Sequence, residues 1–414
     1  MRTVFTLPVL LTLISLATAG DSWTQFRGPG GTGISGASGL PIFWSETTNI
    51  AWKTPIHDKG WSSPVVLGKQ VWLTTARDDG KEQWAVCVDA DSGKVTHDVK
   101  VFDTPKVPYF FMPDYNSHAS PSPVIEPGRV YVHFGSAGTA CLDTESGKIL
   151  WSRRDLPCNH WRAPGSSPIL HQDLLILTFD GHDRQYLAAL DKKTGKTVWE
   201  KERTINYRTT DGDLRKAYST PSILDVQGKP QLVSPAAVGT VAHDPLTGQE
   251  LWKVHHGGMN AASPPLLCQG RVFVTIGYGS KLLAIDPTGS GDVTNSHVVY
   301  TYGKEVPSRP APLAVGDLLF MVGDKGVATC LEAASGKVVW TRRITGNYSS
   351  SPVHSDGRIY VFDHDGKGHV LSADREGKIL ATNRLKDGVR ATPAVVDKAM
   401  FVRTYTHLYR IENR

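Results

Sequence analysis

Ser166-Ser167-Pro168-Ile169-Leu170, answered some twenty residues later by Ala189-Leu190-Asp191-Lys192-Lys193-Thr194-Gly195-Lys196-Thr197-Val198-Trp199, is the stretch from which the fold can be read. A Ser-Pro step opens a short apolar run. Later an Asp-x-x-Thr-Gly-Lys turn leads into a last run that ends near Trp. The same grammar recurs along the chain. Its opening proline stands at Pro64, Pro123, Pro168, Pro221, Pro264, Pro312, Pro352 and Pro393, with gaps of 59, 45, 53, 43, 48, 40 and 41 residues. A period of about 40–50 residues made of short strands points to a propeller or a related repeat array.

Each copy holds four extended runs. Ser63-Pro64-Val65-Val66 illustrates the first, Val130-Tyr131-Val132-His133-Phe134 the second and Cys141-Leu142-Asp143 the end of the third. Gly128-Arg129, Gly270-Arg271 and Gly357-Arg358 punctuate the first hairpin. β-Branched and aromatic runs between Gly, Pro and Asp turns read as strands, and four antiparallel strands make one blade. The turn Asp-x-x-Ser/Thr-Gly occurs at 89–93, 143–147, 191–195 and 244–248, with Glu leading at 332–336. Its Asp can bond backbone groups and its Gly supplies positive φ. Trp151, Trp199, Trp252 and Trp340 follow the Gly by four residues and are expected to pack between blades.

The eighth copy stops at His407-Leu408-Tyr409-Arg410-Ile411, without a fourth strand. Asn49-Ile50-Ala51-Trp52-Lys53 resembles Lys148-Ile149-Leu150-Trp151-Ser152, so residues 49–56 are expected to complete the last blade. The expected fold is an all-β, eight-bladed β-propeller of four-stranded antiparallel blades over residues 49–414, its last blade closed by an N-terminal strand. Seven blades is the rival if one copy is degenerate. Copies five and seven are weakest: Tyr300 and Ala381 stand where Trp is expected, and copy five carries an insert at 289–296. Residues 20–48 read as an irregular N-terminal segment. Gly28-Pro29-Gly30-Gly31-Thr32-Gly33 within it lacks the Lys-Ser/Thr of a phosphate-binding loop.

Residues 1–19 read as a cleaved signal peptide: Arg2, an apolar stretch interrupted by Pro8, and Ala17-Thr18-Ala19 as cleavage site. The stretch is shorter than the roughly 20 residues a spanning helix needs. The product would be periplasmic or extracellular, with no transmembrane segment. The formal charge of +5 is mild and no basic run or binding module points to nucleic acid. Five cysteines form no framework; Cys87, Cys141 and Cys330 share one slot in different blades and read as space-fillers, while the state of Cys158 and Cys268 stays open.

The repeated Ser-Ser-Pro-Val-Val … Leu-Asp-x-x-Thr-Gly-Lys-x-x-Trp resembles the pyrroloquinoline-quinone-type propeller repeat, from Trp61 to the C-terminus and, through Trp52, over the closing strand. Trp23-Thr24-Gln25-Phe26-Arg27-Gly28-Pro29-Gly30-Gly31 is similar to the start of exported bacterial proteins of this class. Two branches share the fold: quinone-dependent dehydrogenases, and non-enzymatic relatives such as the outer-membrane assembly lipoprotein. For the first, the resemblance implies pyrroloquinoline quinone under an adjacent Cys-Cys disulfide, a Ca²⁺ held by acidic and amide side chains, and a catalytic Asp. This chain has no Cys-Cys step and no assignable ligand set. Other acid- and His-bearing stretches, Phe362 to His369, Phe179 to Arg184 and His255-His256, read as hairpin turns or loops rather than metal sites.

The functional signal is positional. Trp61, His118, Arg162, Tyr218, Asn260, Arg309, Tyr348 and Arg390 stand just ahead of the recurring prolines. Ring closure should bring these positions to one channel mouth, together with long loops that carry Phe102, Tyr109, Phe110, Phe111, Tyr115 and Tyr207. Trp61, His118, Arg162, Tyr218, Asn260, Arg309 and Arg390 are the candidate ligand-binding residues. Arginine and aromatic groups suit an anionic, planar or carbohydrate-like ligand. The expected function is an exported, monomeric and non-catalytic binding or scaffolding protein of a bacterial envelope, with a protein or such a ligand as partner. The alternative is a quinone-dependent oxidoreductase, and a hydrolase of extracellular polymers ranks third.

Overall fold

Each recurring proline opens the innermost strand of a sheet. The computed structural model describes residues 22–107 and 116–414. The expected signal peptide at 1–19 and the aromatic residues Tyr109, Phe110, Phe111 and Tyr115 therefore lie outside the described residues. We number blades by their prolines, Pro64 through Pro393. Blade 1 runs from axis to rim as Val65–Leu67, Gln70–Ala76, Glu82–Asp89 and Val95–Asp103, and the described residues build eight such meanders around one axis. Ile50–Pro55 pairs antiparallel with His407–Glu412 as the outer strand of blade 8, with Trp52 opposite Arg410. The ring is closed as expected, which removes two sheet edges.

The strand sequences follow their depth. Middle strands such as Leu174–Asp180 are buried along their whole length, and read as continuous apolar runs. Outer strands such as Thr197–Glu202 bury little except Trp199.

The Trp and the Asp turn form one device between blades. In the turn at 191–195, Asp191 Oδ1 accepts from the backbone N–H and the hydroxyl of Thr194. Gly195 has φ 72° and lies against Trp151, so a Cβ there would sit 2.7 Å from the indole. The Trp151 indole N–H then donates to Lys192 O in the same turn, 3.0 Å. Trp52 to Ala90 O, Trp199 to Pro245 O and Trp340 to Asp374 O repeat this onto the next blade.

The weak copies have physical explanations. Tyr300 replaces Trp in blade 5, and its hydroxyl donates to Ala333 O at 2.7 Å. Blade 5 presents no Asp-x-x-Thr-Gly turn to receive the Trp252 indole, which donates to Gln231 Oε1 instead, and the insert strand Gly291–Asp292 adds to its sheet in parallel. Ala381 faces blade 8, whose third strand ends the chain. Replacing Trp199, 7% exposed, with Ala is expected to cost about 3–5 kcal/mol in urea denaturation. An unchanged midpoint would mean that this device does not couple the blades.

The N-terminal segment closes the channel from one end. Ser22–Trp23 pairs antiparallel with the inner strand of blade 1, the chain turns at 25–33, and it returns beside the inner strand of blade 7 through Ile34 and His354. Arg27 fixes the tip. It is 1% exposed, and its guanidinium donates to Pro352 O, Pro312 O, Thr32 O and Gly31 O. Burial without a carboxylate lowers it to about 9, so it stays charged at neutral pH. Gly28, φ 69°, stacks on Trp23 where a Cβ would come within 2.4 Å of the ring.

The five cysteines are free and buried. Burial raises Cys87 to about 11 and Cys141 and Cys330 to about 12, which keeps these thiols protonated.

Candidate functional site

A belt of hydroxyls joins the inner strands at the open end of the channel. The residue before each proline is Ser or Thr, except Ala311. Its backbone N–H donates to the hydroxyl oxygen of the corresponding residue in the next blade. The links are Ser63 to Ser122, Ser122 to Ser167, Ser167 to Thr220, Ala311 to Ser351, Ser351 to Thr392, and Thr392 back to Ser63, at 2.8–3.0 Å. The belt is interrupted on both sides of Ser263: Ala311 offers it no oxygen, and its own hydroxyl, which donates to Pro310 O, accepts no bond from Thr220. The Ser-Pro step of the repeat is therefore an inter-blade fastener.

Period-two alternation along an extended chain then decides what faces the axis. Ser63, Ser122, Ser167, Thr220 and Thr392, one residue before their prolines, line a cavity of about 380 Å³ at the channel mouth. Trp61, Ser120, Gly165, Tyr218, Arg309, Ser349 and Arg390, three residues before, line it as well. The volume lies in the range of small-molecule sites, about 300–1,000 Å³. Phe26, from the N-terminal hairpin, stands among the lining residues, so the cavity backs onto that hairpin.

Six of the expected residues therefore share one cavity: Trp61, Arg162, Tyr218, Asn260, Arg309 and Arg390. Arg162 lies six residues before its proline and reaches the cavity through a kink in which Trp161 and Ala163 have φ of 60° and 66°. Asn116 ties that kink down, its Nδ2 donating to the carbonyls of Arg162, Ala163 and Pro164 at 3.0–3.1 Å. Asn260, four residues before Pro264, also has positive φ, 56°. Such non-glycine outliers cost energy and cluster where a site needs them.

Two residues fall elsewhere. His118 stands five before its proline, is 4% exposed and packs on Gly80, and Ser120 takes the cavity position. Burial lowers its imidazole to about 4, so it is neutral. Tyr348, four before its proline, is fully buried in the core of blades 6 and 7, and Ser349 takes its place. The sequence reading also missed Asn116, Asp213, Met259, Tyr278 and Phe26. The alternation measured from the prolines would have found Ser120 and Ser349. Nothing local marks the others.

The electrostatics are one-sided. Arg390 lies over Trp61 and Tyr405, 5.4 and 5.7 Å from the ring centroids, and has no carboxylate partner among the described residues. Arg309 is 3.9 Å from Asp324, which already accepts from the N–H groups of Ser308 and Arg309. Arg162 is 3.9 Å from Asp213, and Asp213 is bonded to Lys216. Burial and then the charges of Arg390 and Arg309 lower His364 to about 3; its Nε2 lies 2.9 Å from Ser349 Oγ.

Elsewhere the acid- and His-bearing stretches have structural jobs. Asp363 accepts from the N–H groups of Asp365 and Lys367, and Asp180 pairs with Arg203. His256 Nε2 lies 2.9 Å from Thr240 Oγ1.

An eight-bladed propeller with a mouth built from one strand end per blade is the architecture of the pyrroloquinoline-quinone-like repeat proteins. The chain belongs to the family described as outer membrane protein assembly factor BamB, whose model matches residues 42–232 and 237–380. No curated protein matches it. Among solved structures it is similar to BamB from Moraxella catarrhalis, with 13% identity over 87% of this chain and 99% of that one, TM-score 0.62. It is also similar to the quinohemoprotein alcohol dehydrogenase from Comamonas testosteroni, with 12% identity over 96% and 81%, TM-score 0.68. A europium-containing methanol dehydrogenase aligns with 13% identity over 96% and 92%, TM-score 0.58. At these identities the likeness is one of fold.

Two of these structures are dehydrogenases, one a quinohemoprotein and one europium-containing. The donor set at the mouth does not fit such a metal. Among the described residues its one lining carboxylate, Asp213, is taken by Lys216, and no three His, Cys, Asp or Glu side chains gather into a ligand group. Guanidinium groups and hydroxyls suit an anion. No helix among the described residues is long and apolar enough to cross a membrane.

Proposed function

We propose that this chain is an exported, non-catalytic binding protein of the bacterial envelope that holds a small anionic ligand in the mouth of its propeller. One observation carries the reading: three arginines from three blades face a cavity whose one lining carboxylate among the described residues, Asp213, is bonded to Lys216. Charge-assisted bonds to an oxyanion would relieve that imbalance. The leader at 1–19 supports export to the periplasm or beyond, and the family supports a role beside protein partners.

The test is calorimetric titration with sulfate. A triple change of Arg162, Arg309 and Arg390 to Ala removes charged donors worth about 1.5–3 kcal/mol each and should weaken binding at least about 100-fold. Its melting curve should stay cooperative. Unchanged affinity would overturn the site. Dye-linked alcohol oxidation after adding pyrroloquinoline quinone and Ca²⁺ would overturn the non-catalytic assignment.

A further inference from the structure

Resting on that reading, we infer that the mouth selects an oxyanion that carries no proton, such as a sulfate ester, a sulfonate or a carboxylate, over a singly protonated phosphate of the same shape and charge. The carrying observation is the direction of the hydrogen bonds in the hydroxyl belt. Ser263 apart, the belt oxygens, those of Ser63, Ser122, Ser167, Thr220, Ser351 and Thr392, each accept a backbone N–H from the neighbouring blade. Among the described residues none of these hydroxyls donates to a protein acceptor.

Five of them, Ser63, Ser122, Ser167, Thr220 and Thr392, line the cavity, and each is no more than 5% exposed. A hydroxyl that accepts from N–H is polarised into a better donor. A buried donor without an acceptor is costly, so this arc of O–H groups favours a guest that brings acceptors.

The remaining polar groups lean the same way. Arg162, Arg309 and Arg390 donate and cannot accept. The carboxylates in reach are engaged, Asp213 by Lys216 and Asp324 by the N–H groups of Ser308 and Arg309. The acceptors left are neutral: hydroxyls, among them Tyr218, the unpartnered amide oxygen of Asn260, and the Ser349–His364 pair. A sulfate ester offers three oxygens, all acceptors. A singly protonated phosphate ester offers an O–H that meets mostly donors, and the lining carboxylate, Asp213, is already bonded to Lys216. Trp61, Tyr278 and Phe26 provide apolar faces for the organic part.

Phenyl sulfate and phenyl phosphate form the test pair, titrated calorimetrically into the full chain at pH 5 and pH 8. A phosphate monoester has its second pKa near about 6, so at pH 5 both esters carry about one negative charge and differ by a proton. The sulfate ester should bind at least tenfold tighter at pH 5. Its own affinity should change less than threefold between the two pH values. That arm also reads any titration on the protein side, from His182 and Lys216 beside Asp213, from Asp213 and Asp324, from Tyr218, or from His364, which stays neutral over this range.

Equal affinities at pH 5 overturn the inference and leave the anion reading standing. No binding of either ester at either pH overturns both. Arg390→Gln and, separately, Arg309→Gln should each weaken the sulfate ester at least tenfold. Full affinity in both variants would place the ester outside the mouth and also overturn the inference.

Discussion

Deletion of residues 22–56 is expected to leave a chain with no cooperative melting transition. Three losses coincide. The outer strand of blade 8 disappears and exposes His407–Glu412 as an unpaired edge. The Trp52 bond to the first turn of blade 1 goes with it. Trp23, Leu40, Trp44 and Ile56, between 1% and 7% exposed, leave the core shared by blades 1, 7 and 8. At about 1.5–3 kcal/mol for each buried side chain, these four alone approach the 5–15 kcal/mol that separates folded from unfolded domains. Adding the 22–56 peptide to the truncated chain should restore a cooperative melt. A truncated chain that melts within about 5 °C of the intact protein would show that closure contributes little.

Asp180→Ala should cost about 3–5 kcal/mol, because it strands a charge. Asp180 and Arg203 are bonded twice, at 2.5 and 2.7 Å, with side chains 1% and 0% exposed. Arg203 also donates to the carbonyl and hydroxyl oxygens of Ser234, which ties blade 3 to blade 4. Burial opposes the charge, yet the Asp180 carboxylate outweighs it and holds the guanidinium above its ordinary value. Removing one partner of a buried pair leaves the other unpaired, whereas replacing both with apolar groups of similar volume is often neutral. Asp180→Leu with Arg203→Met should therefore recover most of the urea midpoint lost in Asp180→Ala. If the double variant is as unstable as the single one, the Ser234 bonds dominate instead. The pair also anchors the loop that carries Asp213 and Tyr218 to the mouth.

The blade count, the closing strand and the Trp–turn device were legible in the sequence because each rests on a local pattern repeated many times. Tyr300 shows how far that reading reaches: a broken repeat still held a residue able to bond to the next turn. The N-terminal hairpin was not legible. Its partners, Pro312 and Pro352, lie about three hundred residues away, and Arg27 carries no mark of burial in its own surroundings. The mouth was half legible. Counting residues before each proline without the alternation of an extended chain gathered Trp61, Tyr218, Arg309 and Arg390, but also admitted His118 and Tyr348. Arg162 and Asn260 reach the cavity only with help from left-handed kinks, which their types do not announce. The serines and threonines were visible as a repeated letter, but the bond each one makes runs to another blade.

Closure by the first strand also sets an order of events during synthesis. Ile50–Pro55 emerges early, yet its partner His407–Glu412 follows all the other described strands. Arg27 likewise waits for Pro312 and Pro352. Blades 2 to 7 can meander together from local contacts as they leave the ribosome, while the leading segment stays unpaired until the end. Loop closure over some 360 residues is then the slow step, as long-range contacts dictate. A nascent chain arrested before residue 407 is therefore expected to leave 22–56 unpaired and open to proteases until His407–Glu412 emerges.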